Sequence, residues 1–229
     1  MSSTLPIFEA KGVAKTYDEG AVQALRGVDF RIEVGEFVAI TGPSGCGKTT
    51  LLHMLGALDI PTAGQLNYRG QSIAGLAAPA TYRARDIGFI FQAFHLLPTF
   101  TVLENVQLPM FETDRSPTQR QQRAAALLDS VGMTHRAGHF PSQLSGGERQ
   151  RAAIARSLAN EPPVLLADEP TGNLDSENAH NVMELLARLH RERGVTLLLV
   201  THDSATAAFA SRTIFMKDGR IQPAGNIPT

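Results

Sequence analysis

Hydrophobic and polar positions alternate from Ile7 to Val34, with a break at Asp18-Glu19-Gly20, and that period of two predicts two antiparallel strands joined by a turn. The pattern then changes. Phe37-Val38-Ala39-Ile40 is an unalternated apolar run, GPSGCGKTT follows at 42–50, and Leu51-Leu52 open a helix to about Leu55. Asp59 to Gly64 interrupts the chain, Gln65 to Arg69 resumes as a strand before a turn, and Ile87 to Phe91 forms the next strand. From Gln92 to about Asn160 apolar residues recur three and four apart, which predicts helices. One is well punctuated: Ser116 as N-cap, Pro117 at the first position, Gln119 closing a capping box, and Gly132 just past the end.

Beyond Glu161-Pro162-Pro163, the run Val164 to Ala167 lacks alternation, as a strand buried on both faces requires. A helix from about Glu177 to Arg193, a second apolar strand at Thr196 to Val200, and a closing hairpin over Ile214 to Ile221 complete the pattern. The expected fold is α/β: a mostly parallel sheet, an N-terminal antiparallel β layer and an inserted α-helical subdomain. Residues 1–91 and 161–229 would form one core around the insertion at 92–160. No internal repeat is present.

Composition narrows the class. The 229 residues are 43% hydrophobic, enough for a sizeable core. A formal charge of -1 and no long basic run argue against a nucleic-acid partner. The single cysteine, Cys46, and the lack of a charged-then-apolar leader in Met1 to Ala10 point to the cytoplasm. No apolar stretch approaches the roughly 20 residues a membrane-spanning helix needs, so a membrane role requires a partner.

The chemistry concentrates at strand ends. Gly42, Pro43, Ser44, Gly45, Cys46, Gly47, Lys48, Thr49 and Thr50 match G-x-x-x-x-G-K-[ST], a loop whose backbone N–H groups wrap phosphates. Lys48 would reach the β and γ phosphates of a nucleotide, and the Thr49 hydroxyl would ligate Mg²⁺. Ligands of an open parallel sheet collect beyond the carboxyl ends of its strands, where Gln92, Asp168, Glu169 and His202 all fall. Asp168 suits a metal-holding role and Glu169 the orientation of an attacking water. Gln92 offers a carbonyl oxygen to Mg²⁺, and His202 can bond the γ-phosphate or the water-orienting carboxylate. Tyr17, at the end of the first strand, is either an ordinary edge tyrosine or a ring that stacks on adenine.

A second anion site is readable at Leu144-Ser145-Gly146-Gly147-Glu148. Ser145 and Glu148 form a capping box, and the two glycines leave the helix start bare enough for a phosphate to approach. Two phosphate-binding surfaces in one chain suggest a head-to-tail pair of copies with two-fold symmetry. Cys46, beside Lys48 and a helix start, is either an inert small residue or a thiol that those neighbours draw toward thiolate, in which case a maleimide would modify it unless ATP protects it.

GPSGCGKT, the strand-end Gln92, LSGGE, VLLADE, Asn173-Leu174-Asp175 and Thr201-His202 in this order resemble the nucleotide-binding subunit of an ABC transporter, over essentially the whole chain. The resemblance implies an Mg-dependent ATPase that hydrolyses ATP to ADP and phosphate. It further implies that Tyr17 stacks on adenine, Gln92 links Mg²⁺ to the helical subdomain, and Ser145, Gly146 and Gly147 close on the ATP of a second copy. Glu169 would orient the water, His202 would sense the γ-phosphate, and Asp175 would bridge the two sites. Phe94-His95-Leu96-Leu97-Pro98, Leu103 to Val106 and Asp168 to Asp175 are similar to the lipoprotein-releasing and macrolide-exporter branch. That likeness implies a separate integral membrane permease, with the chain peripheral on the inner face of the membrane. Phe94, Leu96, Leu97, Phe100, Met110 and Phe111 are candidates to receive its helix. A regulatory ATPase that signals through a membrane partner without transport would keep the same motifs.

Overall fold

The computed structural model of the chain describes residues 5–223. In chain order its elements are β1 (Phe8–Tyr17), β2 (Val22–Ile32), β3 (Phe37–Thr41), α1 (Lys48–Leu55), β4 (Ala63–Tyr68), β5 (Gln71–Ser72) and α2 (Pro79–Arg85). There follow β6 (Ile87–Phe91), α3 (Val102–Gln107), α4 (Pro117–Ser130), α5 (Gly146–Ser157), β7 (Val164–Asp168) and α6 (Ser176–Arg193). The chain closes with β8 (Thr196–Val200), α7 (Ser204–Ala207), β9 (Arg212–Lys217) and β10 (Arg220–Ile221).

The strands form two sheets. One is antiparallel in the order β2-β1-β4-β5; the other runs β10-β9-β3-β8-β7-β6. In the second, β3, β6, β7, β8 and β9 are all parallel and only β10 turns back. This is the expected α/β architecture of a mostly parallel sheet beside an antiparallel layer.

The unalternated strands are buried on both faces for a visible reason. Val164, Leu166, Leu198 and Val200 face a core shared with α1 and the antiparallel sheet, around Phe8, Leu51 and Leu52. Leu165, Ala167, Leu197 and Leu199 face the opposite core, made with Val106, Leu127, Ile154 and Leu186 of the helices. Alternate residues of one strand thus serve two hydrophobic layers.

Helix ends follow the sequence signals. Ser116 accepts from the Gln119 backbone N–H and Gln119 returns the bond, so α4 starts with the expected capping box. Helices α2 and α7 and the 3₁₀ turn Ile73–Gly75 have no counterpart in the hydrophobic pattern. Helix α2 is too short to show a period, and Tyr82 anchors it by burying its ring and donating to the Leu55 carbonyl at 2.7 Å. Among the described residues no helix is long and apolar enough to cross a membrane.

Candidate functional site

Parallel pairing aligns the ends of four strands. Ile40 pairs with Val200, Val200 with Asp168, and Asp168 with Phe91, forming one row across the sheet. Everything immediately beyond that row shares one edge: the 42–50 loop, Thr201-His202, Glu169 and Gln92. Backbone bonds fix the exits, with Glu169 N–H donating to Val200 O at 2.9 Å and Thr201 N–H to Ile40 O at 3.1 Å.

The loop at 42–50 is shaped by close approach. Gly42 has φ 146 and Gly47 φ 101, conformations that side chains rarely adopt. A Cβ at Gly42 would lie 2.0 Å from Met216 O, and one at Gly47 would lie 2.4 Å from Ala24 O. The loop is therefore wedged between β2 and β9 while Pro43, Ser44 and Gly45 stay exposed. Lys48 is buried, and its Nζ donates to Gly42 O at 2.8 Å and Pro43 O at 2.9 Å. Two weak carbonyl acceptors hold a full positive charge at the centre of an anion-shaped loop.

Cys46 is buried, 5% exposed, and belongs to the core cluster that holds Leu51 and Met216. The Lys48 ammonium stands 3.9 Å from its sulfur. Burial favours the inert small residue over the reactive thiol. Its packing under Gly42, not its exposure, accounts for a small residue here.

Thr49, at the first turn of α1, donates to Asp168 Oδ1 at 3.1 Å. Burial raises the Asp168 carboxyl above its ordinary value, while the Thr49 hydroxyl bond opposes that rise. A half-buried carboxylate held against a hydroxyl is the hard-oxygen pair that Mg²⁺ takes when phosphates and water complete its shell. Among the described residues no group of three or more His, Cys, Asp or Glu side chains is placed to hold a metal ion.

Glu169 sits beside Asp168 with φ 45, a left-handed conformation that costs a non-glycine residue about 1–3 kcal/mol. The turn is locked by the Val200 bond and by Gly172 N–H donating to Glu169 O at 3.0 Å. Its carboxylate meets His202, with Nδ1 and Glu169 Oε1 2.8 Å apart. The expected partnership of these two side chains is present.

Gln92 reaches the same edge but turns to the loop after β7. Its Nε2 donates to Asn173 Oδ1 at 3.3 Å, and Asn173 Nδ2 donates to Gln92 O at 2.9 Å. In this conformation the side chain binds Asn173, not the Thr49–Asp168 pair. Neither amide showed this pairing in the sequence, because a polar residue in a loop carries no period.

The Ser145–Glu148 segment, expected to be a second anion site, has a different geometry. Ser145 caps α5 by accepting from the Glu148 N–H, and Glu148 accepts from the Ser145 N–H at 2.8 Å. Glu148 Oε1 also accepts from Arg136 Nε at 2.8 Å. The backbone N–H of Ser145, with Arg136 beside it, pulls the Glu148 carboxyl down to about 2. All hydrogen bonds of the Ser145 and Glu148 side chains stay within residues 136–148. The glycines have a reason besides phosphate approach: a Cβ at Gly147 would stand 2.4 Å from Asn178 Oδ1, and one at Gly146 3.2 Å from Leu174 Cδ2. Asn178 in turn donates through Nδ2 to Asp175 Oδ2 at 2.7 Å, and Asp175 caps α6. Backbone bonding from Asn178 lowers the Asp175 carboxyl below its usual range.

Tyr17 ends β1 with its ring 37% exposed and its hydroxyl donating to Asp59 Oδ2 at 2.7 Å. Of the residues expected to receive a partner helix, Met110 is core and Leu96 packs against that core. Leu97, Phe100 and Phe111 are exposed, and Phe94 is half-buried.

The ABC transporter family profile matches residues 25–172. An uncharacterized ABC transporter ATP-binding protein of Methanocaldococcus jannaschii, MJ1508, is 48% identical over 219 residues, covering 94% of this chain and 97% of its own. The dimeric post-hydrolysis structure of the ATP-binding cassette MJ0796, bound to ADP and Pi, superposes with a TM-score of 0.86 at 43% identity, covering 94% of this chain and 96% of that one. CbiO1 of Clostridium perfringens, part of the ABC transporter complex cbiONQ, gives the same TM-score of 0.86 at 28% identity, covering 95% and 87%. The chain belongs to the ABC transporter family and is one of its ATP-binding subunits, an ABC ATPase.

Proposed function

We propose that the chain drives export or lipoprotein release through a separate membrane permease, by ATP-dependent closure of a homodimer. The observation that carries this reading is the strand-end row, which gathers the phosphate loop, Asp168, Glu169 and His202 while the Ser145–Gly147 helix start makes its bonds elsewhere. One copy supplies most of a hydrolytic site. The dimeric state of MJ0796 with ADP and Pi supports a second copy supplying the remainder.

In this reading Lys48 exchanges the Gly42 and Pro43 carbonyls for β and γ phosphate oxygens, and the loop amides of Gly45 to Thr50 take the rest of the charge. Thr49 and Asp168 would hold Mg²⁺, with Gln92 once released from Asn173; the ion neutralises charge on the transferring phosphoryl group. Glu169 accepts a hydrogen bond from the attacking water and orients it toward the γ-phosphorus. His202 holds the Glu169 carboxylate and can bond the γ-phosphate through its other nitrogen. The bond between γ-phosphorus and the bridging oxygen breaks as the water oxygen bonds, and ADP leaves with phosphate. Tyr17 stacks on adenine. Ser145, Gly146 and Gly147 of the second copy cap the γ-phosphate with helix-start N–H groups, and Glu148 keeps that cap in shape through Ser145. Asp175 stands at the junction of the two sites.

Loss of the γ-phosphate removes what both copies grip, so the dimer reopens and the motion passes to the permease. Leu97, Phe100 and Phe111 present the exposed apolar surface for its helix, at the inner face of the membrane. The likeness of 94–98, 103–106 and 168–175 to the lipoprotein-releasing and macrolide-exporter branch supports the assignment of cargo class.

Affinity purification from membranes solubilised in detergent tests this reading. Recovery of an integral membrane protein whose presence raises the ATPase rate is the expected result. Recovery of water-soluble partners alone, with ATPase unaffected by any membrane fraction, would overturn it.

A further inference from the structure

Lys15, Tyr17 and Asp59 form a closed polar unit outside the phosphate loop. Lys15 and Tyr17 stand two residues apart on β1 and both reach Asp59. Lys15 is buried and donates through Nζ to Asp59 Oδ1 and, at 2.9 Å, to Ile60 O. Tyr17 donates to the other carboxylate oxygen, Asp59 Oδ2, at 2.7 Å. The same ammonium lies 4.8 Å from the Tyr17 ring centroid. Each oxygen of Asp59 thus has its own donor, and a buried ammonium obliges the carboxylate to stay where it is.

The segment that carries Asp59 is itself fixed at both ends. It leaves α1 through Leu58 N–H donating to His53 O at 2.8 Å. It is stitched to β1 by Thr62 N–H donating to Ala14 O at 2.9 Å and by Thr16 N–H donating to Thr62 Oγ1 at 3.1 Å. Helix α1 starts at Lys48, so one eight-residue rod joins the phosphate loop to the support of the Tyr17 hydroxyl. Tyr17 stays 37% exposed while its hydroxyl is anchored on Asp59.

We propose that Asp59, oriented by Lys15, is a positioning residue that fixes the Tyr17 ring relative to the phosphate loop, so that base and phosphates meet a preformed frame. This rests on the reading of Tyr17 as the adenine platform. A tyrosine at an exposed strand end would otherwise sample several rotamers and lose that freedom when the base binds; a braced ring has already lost it. The brace therefore acts on the base and not on the phosphates.

The test compares the dissociation constants of ATP and inorganic tripolyphosphate for the wild-type chain, Tyr17→Ala, Tyr17→Phe, Asp59→Asn and the double variant Tyr17→Phe/Asp59→Asn. Tyr17→Phe keeps the ring and the Lys15–Asp59 pair and removes only the hydroxyl, so it carries the test even where Asp59→Asn folds poorly. Tyr17→Phe and Asp59→Asn should each weaken ATP about threefold to tenfold, leave tripolyphosphate unchanged, and combine in the double variant to little more than either alone. Wild-type ATP affinity in Tyr17→Phe, with Tyr17→Ala impaired, would overturn the brace and leave the platform standing. Wild-type affinity in Tyr17→Ala would overturn the platform and the brace with it. Equal losses for ATP and tripolyphosphate would show a general structural defect and would also overturn the proposal.

Discussion

His202 Nδ1 lies 2.8 Å from Glu169 Oε1, although 33 residues separate them in the chain. The sheet makes the pairing: β7 and β8 are parallel neighbours, and Glu169 N–H is bonded to Val200 O, so the residues beyond each strand emerge side by side. The strained φ of 45 at Glu169 turns its carboxylate along the edge toward the imidazole. His202→Ala should leave the fold intact and lower kcat about 100-fold, with KM changed by less than about threefold, because the histidine holds a group that acts in the transition state. Steady-state ATPase assays check this; an unchanged kcat would remove His202 from the site.

Lys48 is the only cation bonded within the phosphate loop among the described residues, through the carbonyls of Gly42 and Pro43. Lys48→Ala should weaken ATP binding about 10- to 100-fold, the loss expected for one or two charge-assisted hydrogen bonds. Calorimetric titration measures it, and undiminished affinity would place the nucleotide elsewhere.

Gly147 abuts Asn178, with Cβ room of only 2.4 Å to Oδ1 and 3.3 Å to Cβ of that residue. Gly147→Ala is therefore expected to destabilise the chain by about 1–3 kcal/mol, as overpacking does, despite the better helix propensity of alanine. Adding Asn178→Ala should recover part of the loss in denaturant unfolding. A stabilised Gly147→Ala would show that the contact yields freely.

Much of this was legible in the sequence, and the reasons differ by residue. The apolar runs at 37–40, 164–167 and 196–200 lack alternation because two cores claim them, so sheet and site edge could be read together. Gly42 and Gly47 stand in a motif whose spacing is set by phosphate geometry. Capping boxes at Ser116 and Ser145 are local and were readable. The Gln92–Asn173 pair, the Lys15–Asp59–Tyr17 unit and the Gly147–Asn178 contact join residues 81, 44 or 31 apart, and nothing in a linear pattern specifies which polar side chains meet. The choice between an inert and a reactive Cys46 was open in the sequence for a related reason: the motif places it beside Lys48, but only packing against Gly42 buries it.

Glu148 gives a pH dependence with a definite sign. Its carboxyl is lowered from 4.5 to about 2, chiefly by the Ser145 backbone N–H. A depressed folded value means that the contribution to stability is complete above about 4.5 and is lost as the pH falls through about 2. Glu148→Gln keeps an acceptor for the capping box but cannot titrate. The stability difference between wild type and this variant should therefore shrink progressively below about pH 4.5. Denaturant unfolding at a series of pH values measures it, and a difference constant down to pH 2.5 would contradict the assignment.

In the proposed dimer one copy supplies the phosphate loop and Glu169 while another supplies the Ser145–Gly147 helix start. Light scattering of Glu169→Gln with saturating MgATP, paired with its turnover rate, measures this division. The expected result is a stable dimer that forms only with ATP and turns over at least about 100-fold more slowly than wild type. A monomer under saturating MgATP, or turnover close to wild type, would contradict it.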